Sequence, residues 1–157
     1  MILIKIENLT KKFGSQIILN NLNLNIQDGQ KVLIMGQNGA GKSTLMKAIL
    51  GELICDSGSI FIDNINPIID RKNALRYLSF VPQTPPPLRL SVAQLCEYSI
   101  SSTKTDLNNI INYLKELDLN YETESKKPFY KLSGGMKQKV LIALALARDS
   151  KIIMFDE

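Results

Sequence analysis

Residues 36–44 read GQNGAGKST; they follow the apolar run KVLIM (31–35) and lead into KSTLMKAIL (42–50). No other stretch constrains the fold as strongly. The run fits GxxxxGK[ST], and it stands where that motif has meaning, between a strand pattern and a helix pattern. Gly36, Gly39 and Gly41 let the backbone curl around Asn38 and Ala40 without side chains intruding. Successive N–H groups then point inward, and the N-terminus of the following helix adds positive potential. Such a nest suits the oxygens of a triphosphate. Lys42 is expected to neutralise the β- and γ-phosphates, and the Ser43 hydroxyl to hold Mg2+, with Thr44 completing the binding turn. The loop alone does not choose among GTPases, kinases and ATPases, but no NKxD-like guanine motif occurs.

Composition narrows the chemistry. The 157 residues are enough for one domain with a real core. No histidine is present, which excludes imidazole catalysis and histidine-ligated metals. Cys55 and Cys96 form neither a CxxC pair nor a zinc spacing, so two buried, reduced thiols are expected. The net charge of +4 favours anionic partners only weakly. The longest apolar run, LIALALA (141–147), is far shorter than the ~20 residues of a membrane span. A soluble chain is expected.

Periodicity orders the rest. LIKIENLTKKF (3–13) and the stretch to residue 26 read as strands, with Leu22, Leu24 and Ile26 alternating with Asn23 and Asn25. KVLIM reads as a strand covered on both faces. Residues 42–50 read as a helix closed by Gly51, and GSIFIDN (58–64) and YLSFVPQ (77–83) as short strands. The prolines of TPPP (84–87) stiffen a linker. Ser91 and Gln94 stand at capping-box spacing ahead of a helix. Leu107, Ile110, Ile111, Leu114 and Leu117 share one face of another. LSGG (132–135) opens a helix to about residue 148, and KIIMF (151–155) reads as a buried strand. The expected fold is α/β: a P-loop core with an antiparallel β subdomain over 1–83, a helical subdomain over 84–131, and a signature helix and acidic strand over 132–157.

At LSGGMKQKV (132–140) the chain resembles the ATP-binding-cassette (ABC) ATPases. The phosphate loop, VPQ, helical insert, LSGG and an apolar strand ending in Asp-Glu follow one another in family order, across the whole chain. Met136 and Lys139 depart from the commoner Gln and Arg of the family's wording. The resemblance implies ATP and Mg2+ as ligands. It implies that Ser133, Gly134 and Gly135 meet the γ-phosphate held by a second ABC ATPase domain, two domains enclosing two ATPs head to tail. It places Gln83 at Mg2+ or the attacking water, and Phe13 on the adenine ring, where the family more often has Tyr. Asp156 corresponds to the Walker B Asp that holds Mg2+, and Glu157 to the general base. A positioned carboxylate base contributes ~10²–10⁴-fold.

The family continues past this Glu with another core strand and a γ-phosphate-contacting His, so the resemblance implies a chain incomplete at its C-terminus. The expected function is the ATP-hydrolysing subunit of a transporter, in the cytoplasm and held at the inner face of the membrane by a transmembrane permease subunit. Two alternatives stay open: a soluble ABC-type ATPase acting on nucleic acid or the ribosome, and an ATP-binding fragment without efficient hydrolysis. Nucleic acid is not the expected partner.

Overall fold

A computed structural model describes residues 1–156, which divide into two compact units, Met1–Leu78 and Ser79 onward. In the first unit, β1 (Ile2–Phe13) and β2 (Gln16–Gln27) form an antiparallel hairpin around Gly14, whose φ of 58° suits the turn. Helix α1 (Lys42–Ile49) follows the phosphate loop, and β3 (Ser57–Ile62) then pairs antiparallel with β1, giving the order β2-β1-β3. Register puts Ile4 between Ile26 and Ile62, and Ile6 between Leu24 and Ile60. One face of this apolar row is buried beside Leu45, Ala48 and Ile49 of α1, which packs on β2 and β3. The alternation in β2 has its expected effect: Leu22, Leu24 and Ile26 are half-buried, and Asn23 and Asn25 are exposed. A short α2 (Arg71–Ala74) is capped by Asp70, and Arg71 Nε donates to the Leu50 carbonyl at 2.8 Å, pinning the end of α1.

The second unit begins within β4 (Leu78–Val81), continues through helices and ends with β5 (Ile152–Phe155), which pairs parallel with β4 in a two-stranded sheet. The hydroxyls of Ser79 and Ser150 lie 2.7 Å apart and link the starts of these strands. Between them run α3 (Val92–Ser102), α4 (Leu107–Glu116), α5 (Tyr121–Glu124), a 3-10 turn (Phe129–Lys131) and α6 (Gly134–Ala147). The capping box at α3 is present in both directions, Ser91 with the Gln94 N–H at 3.2 Å and Gln94 Oε1 with the Ser91 N–H at 2.9 Å. The core of this unit joins Val92, Cys96, Ile110, Leu114, Phe129, Val140 and Ala143, so α6 packs with α3 and α4.

Three expectations are corrected. KVLIM (31–35) is not a strand: Val32, Leu33 and Met35 are 49%, 81% and 80% exposed. Neither sheet includes this run, and a strand without a neighbouring edge has nothing to satisfy its N–H and C=O groups. β5 is not buried either; Ile152–Met154 are half-buried and Phe155 is 43% exposed, because β4 is its one neighbour among the described residues. Of the two thiols, Cys96 is buried and Cys55 only half-buried.

Candidate functional site

The phosphate loop is shaped by two left-handed glycines, Gly39 at φ 85° and Gly41 at φ 92°, conformations that cost most residues strain. Gly41 is also crowded. A Cβ there would lie 2.8 Å from Ile18 Cγ2 and 3.1 Å from the Ile18 carbonyl oxygen, so β2 supports the loop from behind. The Ala40 N–H donates to the Gln37 carbonyl at 3.1 Å, closing the curl, and α1 begins at Lys42. That helix start has no side-chain cap and no acidic residue in its first turn. Its leading N–H groups therefore keep their donor capacity and the positive end of the helix dipole is not neutralised. Lys42 Nζ donates to the Gly36 carbonyl at 2.6 Å and the Gln37 carbonyl at 3.0 Å, so the ammonium sits over the curl. Phosphate oxygens are stronger acceptors for that ammonium than neutral carbonyls. This donor set fits a polyphosphate, and the exposed Ser43 hydroxyl adds a hard oxygen ligand of the kind Mg2+ takes.

Phe13 is 52% exposed at the end of β1, not a core residue, with Lys11 Nζ 5.4 Å from its ring centroid. It pairs with Gln16, two residues before the Ile18 that backs Gly41, so the ring and the loop share one end of this sheet. Asp56 fixes the backbone beside the ring: its carboxylate accepts from the Lys12 N–H at 2.6 Å and faces Lys11 Nζ at 3.5 Å. The Lys12 bond is the main reason its carboxyl titrates below the usual range, with Lys11 assisting.

In the second unit, Gln83 follows β4 and Asp156 follows β5. The Asp156 N–H donates to the Val81 carbonyl at 3.1 Å, which extends the ladder and brings Gln83 and Asp156 to adjoining strand ends. Asp156 is half-buried and Gln83 exposed. Ser133 Oγ accepts from the Met136 N–H at 3.3 Å and caps α6. Gly134 and Gly135 are exposed, and a Cβ at either would meet nothing within 4 Å. An incoming anion can thus reach the bare start of α6. Glu157 lies outside the described residues.

Two contributors carry no mark in the sequence. Ile18 supports the loop from a strand where it reads as one apolar residue among several. Gln138 Nε2 donates to the Pro82 carbonyl at 3.1 Å, yet between Lys137 and Lys139 it reads as part of a solvated polar run.

The ABC transporter family profile matches residues 19–157. The chain is 38% identical over 164 residues to the energy-coupling factor transporter ATP-binding protein EcfA of Onion yellows phytoplasma, covering 99% of this chain and 59% of that protein. It is 35% identical over 158 residues to the zinc import ATP-binding protein ZnuC of Pseudomonas fluorescens (strain Pf0-1), covering 99% of this chain and 55% of that one. Among solved structures, the dimeric post-hydrolysis state of the ATP-binding cassette MJ0796, bound to ADP and Pi, matches with a TM-score of 0.81 and 32% identity, over 98% of this chain and 73% of that one. The chain thus spans a little over half the length of these two curated relatives. Its fold is the α/β P-loop fold of the ABC ATPases, and it belongs to the ABC transporter family.

Proposed function

We propose that this chain binds Mg-ATP and is the nucleotide-binding part of an ABC transporter's ATP-hydrolysing subunit, acting in the cytoplasm beneath a transmembrane permease. The observation that carries the reading is the curled loop at Gly36–Thr44, with an uncapped helix start and Lys42 poised over it. Lys42 and the leading N–H groups of α1 hold the phosphates, and Phe13 stacks on the base. Ser43 and Asp156 would hold Mg2+, Asp156 through water, and Gln83 would contact Mg2+ or the attacking water. When bound, Mg2+ supplies charge neutralisation on the β- and γ-phosphoryl oxygens. Glu157 takes the proton of the attacking water. Ser133, Gly134 and Gly135 meet the γ-phosphate held by a second copy, a pairing supported by the likeness to a dimeric cassette. ATP closes that pair and hydrolysis reopens it, moving solute through the permease. The relatives named above serve different transport systems.

The test is phosphate release from Mg-ATP, compared with Lys42→Ala. The expected result is release by the native chain that rises more steeply than linearly with its concentration, and none above background for Lys42→Ala. Equal release from the two proteins overturns the reading.

A further inference from the structure

Gln138 sits just over one turn into α6, and the two ends of its amide are in unequal situations. Nε2 donates to the Pro82 carbonyl at 3.1 Å, across 56 positions of sequence. Oε1 is buried and has no partner among the described residues. The amide cannot be turned round, because the Pro82 oxygen only accepts, and an acceptor facing it would be repelled. Just upstream, the Val81 carbonyl accepts from the Asp156 N–H. Two consecutive carbonyls ahead of Gln83 are therefore held, one by the acidic strand end and one by the helix that Ser133 leads. Beyond Gln83 the chain enters Pro85, Pro86 and Pro87, which have no N–H to give, and the next held carbonyl is Pro86, accepting from Leu88 at 2.8 Å. The Gln138 bond is thus the last anchor before Gln83.

We propose that Gln138 is a positioning residue that holds Gln83 in place for Mg-ATP by binding the Pro82 carbonyl. It also makes any displacement of Gln83 felt by the helix that begins at Ser133. The orphaned Oε1 favours this over a packing role. A side chain selected for packing alone would be apolar here, since Oε1 is buried and regains no bond among the described residues. The inference rests on the nucleotide reading above for the purpose of the anchor, and on the geometry for the anchor itself.

Gln138→Met separates the two. It keeps the length of the side chain, removes the donor and removes the orphaned acceptor. The expected result is a melting temperature equal to or above the native one, with NMR order parameters of the Gln83 and Thr84 amides falling from about 0.85 to below about 0.6 without nucleotide. ATP affinity in EDTA is expected to stay within twofold, and the Mg2+ concentration for half-maximal ATP binding to rise about tenfold. Gln138→Glu, which turns the donor into a second acceptor, is expected to release the same two amides and serves if the Met variant fails to fold. Unchanged order parameters at Gln83 and Thr84 overturn the anchor. Lowered order parameters with an unchanged Mg2+ requirement overturn the positioning role and leave a structural one. If the native chain binds no ATP, the nucleotide reading fails, and the order parameters still decide whether Gln138 holds Gln83.

Discussion

At Gly41 one added methyl group meets Ile18 on two sides, while at Gly39, also left-handed, it meets nothing within 4 Å. The backbone penalty is shared and the steric one is not. Gly39→Ala is expected to cost roughly 1 kcal/mol, and Gly41→Ala about 2–3 kcal/mol because strain and the clash with β2 add. Urea unfolding of both variants checks this, and equal losses would show that Ile18 yields freely. Cys96 gives a pH test. Burial, aided by the neighbouring Glu97, pushes its thiol from 9.0 to about 11. The folded state therefore favours the neutral thiol, and the resulting stability is complete below pH 9 and is lost as pH rises towards 11. Native protein is expected to lose stability over that window more steeply than Cys96→Ala, as followed by urea midpoints at pH 8, 9, 10 and 11. At this scale the sequence is a good guide wherever a residue type has one use. Lys42 and the loop glycines were legible for that reason. Gln138 was not, because its role comes from a carbonyl far away along the chain.

The two serine-capped helices show how much local chemistry decides. Ser91 and Gln94 cap each other reciprocally, whereas Ser133 makes one longer bond and has Met136 where a partner would stand. Ser91→Ala is expected to cost about 1 kcal/mol and Ser133→Ala roughly 0.5 kcal/mol, the low end for a cap. Chemical denaturation of the two variants measures it. A larger loss at Ser133 would mean that α6 depends on its first turn more than this geometry allows. The Ser91–Gln94 cap is local and was readable, as were the period-two face of β2 and the helical face of Ile110 and Leu114. The segment 31–35 was not. Its apolar run has the composition of a central strand, but a strand exists only through its neighbours, and neither sheet takes it in. The same shortage of neighbours leaves β5 half-exposed.

For the whole molecule, the chain of 157 residues presents Leu33 and Met35 at 81% and 80% exposure beside Val32. An exposed apolar run of this kind recruits hydrophobic dyes and other chains. Leu33→Lys with Met35→Lys is expected to reduce dye fluorescence and light scattering at fixed concentration without lowering the melting temperature. A fall in melting temperature would mean that these side chains are packed. The central claim, that the loop at Gly36–Thr44 grips a triphosphate through Lys42 and the start of α1, is tested most directly by titrating a fluorescent ATP analogue with Mg2+ into the native chain and Lys42→Ala. Saturable binding by the native chain, weakened at least tenfold in Lys42→Ala and displaced by unlabelled ATP, is the predicted result. No binding at millimolar nucleotide, or equal affinity in the two proteins, would contradict it.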